Sequence, residues 1–150
     1  MRLALVLVHA AVAAGWLGGM LYSLFVVTPK AARFFGRDDD GREAFLTTMA
    51  SGNRWKVVAM IGVLAITGVA LVLTDPRAGS RLPFYAVKAA LLLVATLVFA
   101  HVSWRLWPRR LFALAEERPA LLARFRRAAY ALVVLVGAAF VLGVAAAQPH

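Results

Sequence analysis

Cysteine is absent from this 150-residue chain, and that absence removes disulfides, thiolate metal ligands, iron–sulfur clusters and cysteine nucleophiles together. Carboxylates are scarce, seven against seventeen Lys and Arg, and none falls inside the long apolar runs. A buried carboxylate proton relay is therefore excluded. With three histidines in the chain, any metal must be held by His, Met, carboxylate or backbone oxygen, and any redox role needs a bound cofactor or metal. No nucleophile and base stand at a recognisable spacing, which argues against hydrolytic chemistry and leaves enzymatic activity an open question.

What the chain does contain is sharply segregated. Hydrophobic residues make up 63% of it, yet its formal net charge is +10 and its mean hydropathy +0.79. Long runs almost free of charge alternate with short stretches that hold nearly all the Arg and Lys. That is the pattern of helices crossing a lipid bilayer between basic loops that meet anionic headgroups. No base-reading element accompanies the basic residues, so nucleic acid is excluded as a partner.

Four runs are long enough to cross a hydrocarbon core about 30 Å thick, which takes about 20 residues. They cover about 3–27, 55–74, 84–107 and 128–147. Pro29 is expected to stop the first and Pro108 the third. Arg2, a short apolar core and Ala11-Val12-Ala13 imitate a cleavable signal peptide, but the apolar run continues well past that point. The expected fold is all-α, a single transmembrane domain folded as an antiparallel four-helix bundle.

Basic residues fix the expected orientation. The first loop holds Lys30, Arg33, Arg37, Arg42 and Arg54, and the third Arg109, Arg110, Arg118, Arg124, Arg126 and Arg127, against Arg77 and Arg81 in the second. Both termini should lie outside, in the periplasm for a multi-pass protein of a bacterial inner membrane. Charge interspersed with Leu111, Phe112, Leu121 and Phe125 predicts an interfacial helix over 109–127. Asp38-Asp39-Asp40-Gly41 lacks the spaced oxygens of a calcium loop and reads as a solvated turn that caps a following helix. Gly15 and Gly19, Ala139 and Gly143, and Gly62, Ala65 and Gly68 mark close-packing faces. The Gly15/Gly19 face also suits a second copy or a membrane partner.

Ionisable side chains within a membrane span are expensive and hence candidates for function. At 1.5 Å per residue, His9 lies roughly 9 Å inside the outer end of the first helix and Lys88 roughly 6 Å inside that of the third, a common layer that Asp75 also reaches. The alternative is that Lys88 snorkels or pairs with Asp75, while His9 makes one interhelical hydrogen bond. His101, Met20 and Met60 lie roughly 8–10 Å from the inner ends of their spans and form a second candidate cluster of soft and borderline ligands, with ordinary packing as its alternative. His9 and His101 differ in depth by roughly 15 Å, so they cannot ligate one metal centre.

His9 followed by Gly15-Trp16-Leu17-Gly18-Gly19 and Pro29, Arg54 leading a span with Ile66-Thr67-Gly68, Lys88 opening an aliphatic span, and Arg126-Arg127 before the fourth together resemble copper resistance protein D-like membrane proteins. The resemblance covers most of the chain. It implies copper binding or transport, with His9 receiving the ion outside and Met20, Met60 and His101 taking it over inside. The layout with paired His9 and Lys88 is also similar to the four-helix membrane protoporphyrinogen oxidase family, which implies haem b, with His9 as axial ligand and Lys88 as an essential partner. The glycine-rich Gly15–Gly19 stretch and the long first and basic third loops depart from that second family. A non-catalytic scaffold subunit docking through Gly15 is the third expectation.

Overall fold

A computed structural model describes residues 2–114 and 116–146. Those residues are helical or in turns, without a strand among them. The chain order is α1 (Arg2–Tyr22), a π-turn (Ser23–Val27), α2 (Thr28–Phe35), α3 (Asp39–Ala50), α4 (Asn53–Leu73), α5 (Ala78–His101), a second π-turn (Val102–Leu106), α6 (Trp107–Leu111) and α7 (Arg118–Ala146). Four helical stretches are long and apolar enough to cross a membrane. The expected limit of the fourth span at Ala147 lies outside the described residues.

The four long helices form a ring. α1 packs on α4 and α7, and α5 on the same two, so α1 and α5 face each other across the diagonal. The tightest part is a cluster of Trp16, Leu64, Ala95, Leu132 and Val136, drawn from all four helices. Many large apolar side chains instead point outward, among them Leu7, Ile66, Leu73, Leu97 and Val134. Exposed apolar surface on that scale marks faces that contact protein or membrane.

Proline does not stop the helices where expected. α1 runs through Pro29 into α2, and α5 through Pro108 into α6, because a π-turn precedes each proline. In these turns Thr28 N–H reaches back to the Ser23 carbonyl and Trp107 N–H to that of Val102. The next bond of each ladder would need an N–H that proline lacks. At the second site the Ser103 carbonyl, left without that donor, accepts a hydrogen bond from Arg54 Nη2 at 2.5 Å. The same guanidinium lies 5.1 Å from the centre of the Trp104 ring. Arg54, from the start of α4, thus makes good a defect in α5.

At this basic end the first loop is a helical hairpin of α2 and α3. Gly36 (φ 55°) ends α2, and Gly52 (φ 74°) turns the chain into α4; both need the left-handed half of backbone space that glycine enters freely. Asp38 caps α3 as expected, its carboxylate accepting from Gly41 N–H at 2.9 Å, while Asp39 and Asp40 face the positive end of the helix dipole. Glu43 of α3 holds Arg110 of α6 in a two-pronged pair, with Nη2 to Oε2 at 2.8 Å, and Arg110 lies over Phe125 of α7. The separate interfacial helix expected over 109–127 is not formed. Its beginning belongs to α6, and from Arg118 onward the chain is already α7, with Pro119 in the first turn where proline suits a helix start and Arg118 paired with Asp40 of α3.

The glycine faces divide. Gly68 and Gly143 face polar side chains inside the bundle, whereas Gly15, Gly18 and Gly19 have open space where a Cβ would stand. The GxxxG face of α1 therefore lies outside the intramolecular packing.

Candidate functional site

Beyond Trp16, Leu64, Ala95 and Val136, toward the Asp75 end of the bundle, no apolar side chain among the described residues is fully buried. The buried residues there are Thr67 and Asp75. His9 and Lys88 are half-buried between them and the core. They stand on the diagonal helices α1 and α5, each the same number of residues before the proline that follows the π-turn, Pro29 or Pro108. α1 with α4 and α5 with α7 are accordingly like hairpins, with His9 against Gly68 in the first and Lys88 against Gly143 in the second.

The hydrogen bonds of His9 determine its tautomer. Its Nδ1 lies 2.7 Å from Thr67 Oγ1, and that hydroxyl lies 2.6 Å from the Val63 carbonyl, to which it donates. A hydroxyl has one proton to give. Committed to Val63, Thr67 accepts from His9, so Nδ1 carries the imidazole proton and Nε2 keeps its lone pair. This is the arrangement in which an outer partner orients a metal-ligating histidine. Gly68 gives the ring its room: a Cβ there would stand 3.7 Å from His9 Cε1.

Lys88 does not pair with Asp75. Its ammonium lies 5.8 Å from the centre of the Phe84 ring and within electrostatic reach of His9. A Cβ on Gly143 would come within 2.9 Å of Nζ. Because Nζ is the mobile end of a long side chain, Gly143→Ala should cost little stability, within about 1 kcal/mol of the parent, since alanine also favours the helix by about that much. It should nevertheless displace the ammonium. Unfolding midpoint and ligand affinity, measured on the same preparation, are expected to separate: the first nearly unchanged, the second reduced.

Asp75 is occupied by other partners. It accepts from the Tyr85 hydroxyl at 2.6 Å and from Arg77 N–H at 3.1 Å, and it pairs with Arg2 at 3.1 Å and Arg81 at 3.9 Å. The Tyr85 hydroxyl, followed by the Arg77 N–H, holds its carboxyl below the usual carboxylate range, and the two guanidinium groups act in the same direction. Four cationic side chains, Arg2, Arg77, Arg81 and Lys88, thus stand at this end with a single described carboxylate. The layer favours an anion.

Met20 and Met60 both pack against the central cluster, but His101 points out from α5. Both thioethers thus line the core while that imidazole faces away from it. Among the described residues no three His, Asp or Glu side chains gather as a metal-ion group. Sequence reasoning quoted Ile66-Thr67-Gly68 and Gly143 only as motif and packing residues. Their roles as orienter of His9 and floor beneath Lys88 require knowing which helices are neighbours. No protein-family model matches the chain, nor does any curated protein or solved structure.

Proposed function

We propose that this chain is a multi-pass inner-membrane protein, termini outside, that binds haem b or a closely related metalloporphyrin in the outer half of its bundle, with His9 Nε2 as axial ligand. The observation that carries the reading is the Thr67-fixed tautomer of His9, which leaves one oriented nitrogen donor at a half-buried position. One donor suffices for a porphyrin, which brings four nitrogens of its own, whereas a bare copper ion needs two or three protein ligands close together. Charge supports the same choice, since the cationic layer suits the two carboxylates of haem b. Bound there, the group would supply one-electron redox chemistry. The protein's part is to hold the imidazole in one tautomer through Thr67, to present the Lys88 ammonium to a carboxylate, and to close the layer beneath with Trp16 and Leu64.

Protein purified in mild detergent, with and without added haem, should show a Soret band that His9→Ala removes. A colourless preparation that binds no added haem would sink the reading. Copper handling of the copper resistance D-like type is the second reading, favoured by Met20 and Met60, two thioethers packed against the bundle core. It predicts stoichiometric copper without a Soret band, and accumulation that falls in Met20→Leu. If neither is found, a scaffold role remains, and Gly15→Leu, which meets open space within the monomer, would abolish function by blocking a partner helix.

A further inference from the structure

At the basic end, an open cavity of about 480 Å³ lies between α6 and the start of α7, lined by Arg109, Phe112, Glu117, Ala120, Leu121 and Arg124. The arginines of this region fall into two groups. Arg110 and Arg118 are held by Glu43 and Asp40, whereas Arg109 and Arg124 make no ion pair among the described residues. Two guanidinium groups therefore share the cavity with one carboxylate, Glu117, leaving an unmatched positive charge.

The surroundings narrow the ligand further. Phe112 on the cavity wall is 85% exposed, so the cavity opens beside an apolar ring that water would not favour and acyl chains would cover. Its volume is many times the roughly 30 Å³ that one water molecule takes up in the liquid, ample for a headgroup and more than a small inorganic anion needs. Guanidinium forks recognise phosphate oxygens in a directed way, and the Glu117 carboxylate can accept hydrogen bonds from headgroup hydroxyls.

We infer that this cavity binds the phosphodiester of an anionic glycerophospholipid from the leaflet on the basic side, through Arg109 and Arg124, with Glu117 receiving the glycerol hydroxyls. The inference rests on the membrane reading above but not on the cofactor, and its test contains no haem or copper readout. The full chain, delipidated in detergent, would be titrated with phosphatidylglycerol, phosphatidylethanolamine, phosphatidylcholine and inorganic phosphate, following bound lipid by native mass spectrometry. Phosphatidylglycerol should bind about tenfold more tightly than either zwitterionic lipid, a gap of about 1.4 kcal/mol. Arg109→Gln/Arg124→Gln should erase that preference while Arg37→Gln/Arg127→Gln, equal in charge removed, leaves it.

Three results would overturn the inference. Equal binding of all three lipids would remove the selectivity on which it depends. Equal loss in the two double variants would show general surface charge and no site. Competition by inorganic phosphate at concentrations comparable to the lipid would make the ligand a soluble anion instead.

Discussion

Asp75→Ala is expected to loosen the end of the bundle that carries His9 and Lys88, lowering the thermal midpoint further than either Arg2→Ala or Arg81→Ala. The carboxylate, with its side chain 2% exposed, binds the start of α1 through Arg2 and the start of α5 through Arg81 and Tyr85. Its removal leaves the Tyr85 hydroxyl without an acceptor and two guanidinium groups with no charge between them, and buried groups stripped of a partner are costly. Acid should reveal the same contact. The folded carboxyl titrates below its unfolded value, so the stability it contributes is complete above the ordinary carboxylate pKa of about 3.9 and is lost as pH falls through the lowered folded value. Asp75→Asn keeps one oxygen, enough to accept from either Arg77 N–H or the Tyr85 hydroxyl, turns an amide NH2 toward the other, and carries no charge. Its midpoint should lie below the parent's at pH 7 and converge on it in strong acid. A gap between the two that is constant from pH 7 downward would show that Asp75 does not act through its charge.

Helix existence was legible because it depends on the length and apolarity of the runs alone. Distance from the end of each run also indicated that His9 and Lys88 stand toward the same end of the bundle, as they do. Facing was not legible. A helix apolar all round carries no stripe to show which side packs inward, so nothing in the sequence turned His101 and the Gly15/Gly19 face outward or Gly68 and Gly143 inward. Continuity through proline was hidden for another reason. The rule that proline ends a helix assumes that the orphaned carbonyl has no other donor, and at Pro108 that donor is Arg54, far away in sequence. Local signals such as the Asp38 cap were read correctly because their partners are a few residues away.

His9→Ala and Thr67→Val should produce losses of different kinds, and the difference separates a ligand from a structural histidine. If His9 is the axial donor, alanine removes the bond outright, and the Soret band of the purified protein should vanish, because no other imidazole among the described residues shares that layer. Valine at 67 keeps the shape of threonine but removes the acceptor for Nδ1–H. The proton is then free to move to Nε2, where it would block ligation, and the ring is free to turn. Loss of such an orienting partner costs on the order of 10- to 100-fold in affinity, so Thr67→Val should still bind haem, more weakly and with a shifted spectrum, while Thr67→Ser, which keeps the hydroxyl, should return most of both. A His9 that serves only to pack α1 against α4 predicts the reverse order of readouts: both variants lower the unfolding midpoint, and neither changes a spectrum.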